Sequence, residues 1–287
     1  MTKTIHKDGN YTAISPTSPA NSAAGKTIVI TGGATGTGLA TAHSFAVARA
    51  AVIALIARRA ELLDEVSAKF KQEFPKTTFL TYAISITDPE AVEAAFADVR
   101  GKAPAGDVDV VVSSAAYFGH EEGVLGISAQ KIRDTFETNV LGPLNLMRAF
   151  VGGGRGETVR GRSKVFIDVA THASWILYPA SAIYGSTKGA ATFVMRHLQV
   201  EHPDMRIYSF HPGFILSPAA RSLGLAEDMA PWDDDNLPAN FALWLASDDS
   251  DFLKGRMLWS CWDADELKEQ KSAFDADEDL STIGLRV

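Results

Sequence analysis

A short β-branched run that breaks into glycines and then into a helix-forming stretch limits this chain to few folds. Residues 27–38 read Thr27-Ile28-Val29-Ile30-Thr31-Gly32-Gly33-Ala34-Thr35-Gly36-Thr37-Gly38, followed by Leu39-Ala40-Thr41-Ala42-His43-Ser44-Phe45-Ala46. The run is continuous, as in a strand buried on both faces, and a helix follows the glycines. A second apolar run, Ala51-Val52-Ile53-Ala54-Leu55-Ile56-Ala57, completes a strand-helix-strand unit. Glycines in such a turn let the backbone approach a pyrophosphate, and the helix behind them offers unpaired N–H groups and its positive dipole end. The spacing differs from GxGxxG, so the surrounding unit carries the dinucleotide reading more than the turn itself. Gly25-Lys26-Thr27 imitates the end of a P-loop, but the first glycine position is Ala20 and the segment runs into a strand, where that motif needs a helix.

The alternation continues, with strands expected near 77–83, 108–113, 164–170 and 205–211 and helices near 60–72, 88–100, 127–150 and 183–200. Repeated β-α alternation gives a doubly wound α/β fold, a parallel sheet with helices on both faces. With 287 residues and 46% hydrophobic content, one sizeable core is expected, in a single domain over residues 25–263. Residues 1–24, rich in Ser, Thr, Pro, Ala and Asn, read as an extended arm, free to pack on the body or on a partner subunit. Residues 264–287 form a C-terminal extension, and the acidic stretch 263–279 reads as solvated surface. Between 217 and 236 the chain becomes irregular, with Gly224, Pro231 and Asp233-Asp234-Asp235. A long loop beyond a strand's carboxyl end is where doubly wound sheets bind ligands, so it reads as a substrate lid.

The net charge of -8 argues against nucleic acid or an anionic membrane as partner. Cys261 is the only cysteine, which excludes an intrachain disulfide. There is neither HExxH nor GxSxG, and no metal site is expected. No apolar run approaches the roughly 18 residues of a membrane span. The polar start Met1-Thr2-Lys3-Thr4-Ile5-His6-Lys7-Asp8 lacks the apolar core of a signal peptide, so a cytoplasmic protein is expected.

Two positions carry chemistry. About 20 residues past the glycines, where an NAD-binding chain places Asp or Glu on the ribose hydroxyls, stands Ala57-Arg58-Arg59. Guanidinium groups match a phosphate in charge and geometry, which favours the 2′-phosphate of NADP. Farther on, Tyr184 and Lys188 in Ile183-Tyr184-Gly185-Ser186-Thr187-Lys188-Gly189 lie one helical turn apart on one face. An ammonium there is expected to lower a tyrosine pKa that is normally about 10, so that the tyrosine passes a proton near neutral pH.

Thr31-Gly32 with Gly36 and Gly38, Asn139 in Thr138-Asn139-Val140, Tyr184 with Lys188, and Pro212-Gly213 after the sixth expected strand occur in order. Together they resemble the short-chain dehydrogenase/reductase family over residues 25–263. The resemblance implies a single-domain Rossmann fold, NADP(H) as cofactor, and Asn139, Thr171, Tyr184 and Lys188 as catalytic residues. The family's serine, about 13 residues before the tyrosine, corresponds to Thr171, which keeps a hydroxyl donor but stiffens the side chain. Ser174 is the alternative. By the same resemblance Gly32, Thr35, Gly36, Thr37 and Gly38 serve the pyrophosphate, and Arg58 and Arg59 the 2′-phosphate. Ser85, with Ile86 beside it, faces the adenine, the Ile215 backbone meets the carboxamide, and Ala115, Ser217, Tyr184 and Lys188 complete the cofactor set. Tyr117, Phe118, Trp175, Tyr178, Phe214 and Trp232 cluster at the mouth of a mostly apolar pocket, which suits a bulky cyclic or aromatic substrate. Ser113-Ser114-Ala115-Ala116 replaces the family's Asn-Asn-Ala-Gly, losing support for the adenosine side and the central strands.

The implied activity is NADPH-dependent reduction of a ketone, reversible as oxidation of a secondary alcohol. Tyr184 is the general acid and Thr171 holds the same oxygen. Lys188 lowers the tyrosine pKa and binds the nicotinamide ribose, while Asn139 positions a water that links Lys188 to solvent. Tyr11-Thr12-Ala13-Ile14-Ser15-Pro16, Lys254-Gly255-Arg256 and Trp262-Asp263 are similar to a fungal branch of the family, which points towards specialised metabolism. Family members are homodimers or homotetramers built through the helices near 127–150 and 183–200, acting on a small-molecule carbonyl or alcohol. Two alternatives stay open: a lyase, isomerase or cyclase using the same tyrosine without a redox step, and a dinucleotide-sensing regulatory protein.

Overall fold

The short apolar runs become strands because β-branched residues pack well on a pleated surface. In the computed structural model, residues 2–118, 123–152, 158–159, 161–179 and 181–284 are described. Four strands come first: β1 (Thr27–Thr31), β2 (Val52–Ala57), β3 (Thr78–Ala83) and β4 (Val110–Ser113). A two-residue antiparallel ladder of β5 (Thr158–Val159) and β6 (Arg162–Ser163) follows, then β7 (Val165–Val169), β8 (Arg206–His211) and β9 (Met257–Trp259). The main sheet has the order β3-β2-β1-β4-β7-β8-β9, with every pairing parallel. All five residues of β1 are buried, as expected for a sheet covered on both faces. Ile28 and Ile30 enter one core and Val29 the other, the alternation of successive side chains along a strand.

The first core lies under α1 (Gly36–Val47) and α2 (Ala60–Glu73), and the second under α3 (Pro89–Lys102), α5 (Gly142–Val151) and α6 (Ala182–Glu201). The helix expected near 127–150 is α4 (Ala129–Phe136), a wide π turn at Glu137–Leu141, and α5. Residues 217–236 are less irregular than expected, since they hold α7 (Pro218–Ser222) and a 3-10 turn at Glu227–Met229. Several elements were not anticipated. Helix α8 (Asn236–Leu245) packs on α1 with Leu237 to Leu245 all buried, so it lacks the polar face that makes a helix legible by period. Strand β9 is three residues long, below what a pattern resolves.

The N-terminal arm packs on its own chain. His6 N donates to the Cys261 carbonyl at 2.8 Å, the His6 ring stacks on Tyr11, and Asn240 Nδ2 donates to the Gly9 carbonyl at 2.9 Å. The acidic C-terminal stretch is more than solvated surface. In α9 (Ala264–Glu269) and α10 (Lys271–Ala276), Leu267 and Phe274 enter the first core.

The chain leaves β1 for β2 on one side and returns to β4 on the other. That reversal opens a crevice at the carboxyl ends of β1 and β4, where doubly wound sheets bind ligands.

Candidate active site

The glycine turn is held by close backbone contacts. Gly32 has φ 67°, a left-handed conformation that only glycine adopts freely. A side chain on Gly38 would collide with the Gly32 carbonyl. The Thr31 hydroxyl accepts from Ser114 N and Ala115 N, both at 3.1 Å. It therefore ties β1 to the segment after β4, supplying part of the central-strand support that Ser113-Ser114-Ala115-Ala116 had been expected to lose.

A cavity of about 900 Å³ opens at this edge of the sheet, near the upper end of the usual range for ligand sites. It brings together Gly32, Thr35, Gly36, Thr37, Arg58, Arg59, Ser85, Ile86, Ala115, Ile215 and Ser217 with Thr171, Tyr184 and Lys188. Tyr117, Phe118, Tyr178, Phe214 and Trp232 line it too. Arg58 and Arg59 are exposed where β2 passes into α2. The Ser217 hydroxyl caps α7 by accepting from Ala220 N at 3.2 Å, and a Cβ on Gly36 would meet Ser217 Cβ at 3.4 Å. The 217–236 segment thus lies against the glycine turn. Asp233 anchors it, its N–H donating to the Phe214 carbonyl and its carboxylate accepting from Phe214 N, both at 2.8 Å.

Three expected residues stand off the cavity wall. Gly38 is buried in the turn behind Gly32. Trp175 sits edge-on to Trp259 at 6.2 Å and is partly exposed. Asn139 is buried in the π turn, where Nδ2 donates to the Tyr117 carbonyl at 2.9 Å and to Thr187 Oγ1 at 3.0 Å, while Oδ1 accepts from Tyr117 N at 2.7 Å. Both amide donors are used on protein groups, so the side chain is a clamp between α6 and the segment after β4. A π turn widens the helix locally and is frequent at functional sites.

At the end of β7 the Thr171 hydroxyl accepts from Ala173 N at 3.2 Å, capping the 3-10 turn at His172–Ser174. Its own proton is left to donate into the cavity. Ser174 does not line the cavity. Its buried Oγ has no partner among the described residues, and Gly189 packs against the residue.

Tyr184 and Lys188 both reach the cavity, but their electrostatics reverse the expectation. Lys188 is buried and donates to the Val169 carbonyl at 2.7 Å. Burial raises the Tyr184 pKa above its ordinary value, and the Asp168 carboxylate adds to the rise. Asp168 is fully buried on β7 with neither oxygen partnered among the described residues. Burial pushes the Asp168 pKa up against the pull of Lys188, and pushes Lys188 down against the pull of Asp168. Desolvation disfavours every charged form here, so Tyr184 stays a protonated phenol through neutral pH. Phe118 lies 4.7 Å from its ring, edge-on.

Two ionisable cavity residues escaped the sequence reading: His172 and His211. Each neighbours a recognised position, His172 following Thr171 and His211 preceding Pro212-Gly213. Adjacency was the one available signal, since no motif spacing joins them.

The model of the short chain dehydrogenase family matches residues 26–228. The chain is 37% identical over 265 residues to short chain dehydrogenase/reductase AacuD of Aspergillus aculeatus, covering 92% of this chain and 89% of the relative. It is 34% identical over 265 residues to a short chain dehydrogenase/reductase of Claviceps purpurea, covering 91% and 86%. Among solved structures, L-sorbose reductase from Gluconobacter frateurii, complexed with NADPH and L-sorbose, superposes with TM-score 0.74 at 27% identity, covering 84% of this chain and 96% of that one.

Proposed function

The chain belongs to the short-chain dehydrogenase/reductase family, which uses a nicotinamide cofactor, and from its site we propose that it is an NADPH-dependent ketone reductase, reversible as a secondary-alcohol dehydrogenase. The observation that carries the reading is one cavity wall holding the Thr171 hydroxyl, the protonated Tyr184 phenol and Lys188. The close-packed turn at Gly32 and Gly38 suits a pyrophosphate, and Arg58 and Arg59 suit the 2′-phosphate of NADP. Bound NADPH supplies the hydride. Thr171 donates to the substrate oxygen and orients it, and Tyr184 gives its proton to that oxygen as negative charge develops there. A phenol held protonated by burial is a stable donor that yields its proton only to a more basic alkoxide. General acid catalysis of this kind contributes roughly 10²–10⁴-fold. Lys188, anchored on the Val169 carbonyl, would hold the nicotinamide ribose.

Tyr117, Phe118, Phe214 and Trp232 on the wall suit a bulky, largely apolar ketone of specialised metabolism. Exposed Phe136, Leu141, Phe193 and Val200 on and between α4 and α6 support a homodimer or homotetramer. No described helix is long and apolar enough to cross a membrane, in keeping with a cytoplasmic site of action. The test follows NADPH oxidation with a panel of cyclic ketones for the wild type and Tyr184→Phe. The variant should lose roughly 10²–10⁴-fold in kcat while still binding NADPH. A wild type that binds NADPH and reduces no ketone refutes the reading. Replacing Arg58 and Arg59 by Ala should erode the preference for NADP over NAD, and unchanged selectivity refutes the 2′-phosphate assignment.

A further inference from the structure

We propose that Tyr178, His172 and His211 form a hydrogen-bonded relay that recognises a second oxygen on the substrate, a phenolic or enolic hydroxyl remote from the reacting carbonyl. The inference rests on the ketone reductase reading and specifies its substrate class. His172 Nε2 lies 2.6 Å from the Tyr178 hydroxyl, and His172 Nδ1 lies 2.8 Å from His211 Nε2. All three residues line the cavity. Both imidazoles are buried, whereas Tyr178 is 41% exposed, so the relay meets the open cavity at its phenol end. Trp259 stacks on His172 at 5.6 Å and stands edge-on to His211 at 4.8 Å, and Phe214 lies 5.2 Å from His172. These rings hold the imidazoles in place.

Burial lowers the pKa of both histidines, so each is a neutral ring with one donor and one acceptor nitrogen. Neutrality couples the bonds end to end. If Tyr178 donates to His172 Nε2, then His172 Nδ1–H donates to His211 Nε2, and the Tyr178 oxygen is left as an acceptor facing the cavity. If His211 Nε2–H donates to His172 Nδ1, then His172 Nε2–H donates to Tyr178, whose own O–H turns outward as a donor. The relay thus presents either character at one point. A plain hydroxyl or a plain ketone needs no such group, and an apolar substrate would be better served by apolar residues than by two desolvated imidazoles. The complement of an end that is donor or acceptor by turns is a substrate oxygen that also changes, the enol or phenol against its keto form.

The probes are 1-tetralone and its 5-, 6- and 7-hydroxy derivatives, compared by kcat/KM with NADPH. The wild type should favour at least one hydroxytetralone over 1-tetralone by about tenfold, the worth of one good hydrogen bond in a dry pocket. Tyr178→Phe should bring that ratio to one. His211→Leu, which cuts the relay behind His172, should also reduce it, while His211→Gln, which keeps a donor and an acceptor, should restore it. A wild type that reduces 1-tetralone without favouring any hydroxy derivative overturns the proposal, as does a preference that survives Tyr178→Phe. If no tetralone is reduced, the reductase reading is judged separately on the wider ketone panel, and recognition is read from binding to the NADP complex. There 2-naphthol should bind more tightly than naphthalene to the wild type and equally to Tyr178→Phe, and equal binding to the wild type overturns the relay.

Discussion

Burying His211 as a neutral ring should make this fold measurably acid-sensitive, and the size of the effect follows from its surroundings. Burial is the larger cause and neighbouring His172 the smaller one that take its pKa from 6.5 down to about 3. The unfolded chain accepts a proton at this histidine as pH falls through 6.5, whereas the folded protein refuses it until about pH 3. Stability is therefore undiminished above about pH 6.5 and drains as pH falls towards 3. At about 1.36 kcal/mol per pH unit, His211 alone removes about 2 kcal/mol between pH 7.5 and pH 5. His211→Gln removes the titration while keeping an amide that can bond His172. Urea unfolding at one protein concentration, at both pH values, gives the decline for each protein. The decline in His211→Gln should be smaller than in the wild type by about 2 kcal/mol. Equal declines would refute the argument, for they would mean that the folded protein protonates His211 as readily as the unfolded chain does.

Four further outcomes follow from the same structure. Asn139→Ala strips the Tyr117 backbone and Thr187 of their buried partner, and should lower unfolding free energy by about 1–3 kcal/mol in urea melts, with a lower kcat as the cavity wall beside Tyr117 loosens. Gly38→Ala drives a methyl into the Gly32 carbonyl and should abolish NADPH binding in a fluorescence titration. Gly101→Ala, at an exposed site in α3 where a Cβ meets nothing within 4 Å, should instead stabilise the fold by about 0.5–1 kcal/mol. Thr171→Ser should keep ketone turnover and Thr171→Val should lose it by tenfold or more, about 1.4 kcal/mol of transition-state stabilisation; equal rates for the two variants would remove Thr171 from the site.

The strand, glycine turn and helix at 27–47 were legible because each is a local pattern: β-branched residues for a strand, glycine where φ is positive, and helical spacing beyond. For the same reason Tyr184 and Lys188 were correctly placed on one helix, since one turn of α6 brings them together whatever surrounds it. The direction of their chemistry was not legible. Lys188 turns to the Val169 carbonyl and Tyr184 is raised by burial and Asp168, and desolvation depends on what the rest of the chain stacks above a residue. Asn139 could be named from its resemblance, but its partners Tyr117 and Thr187 come from distant segments. Helix α8 is buried on every side from Leu237 to Leu245 and β9 is three residues long, so neither leaves a periodic trace.

By itself, the sequence determined the doubly wound α/β fold, the glycine turn after β1 and the proton-donor candidate, because these depend on backbone sterics and short-range spacing. Tertiary structure alone decided which side chains are desolvated together. It turned Trp175 away from the cavity and brought His172, His211 and Tyr178 into one hydrogen-bonded line from the ends of β7 and β8 and the approach to α6. Contacts of that kind are set by how strands and loops pack in three dimensions, and no spacing along the chain encodes them.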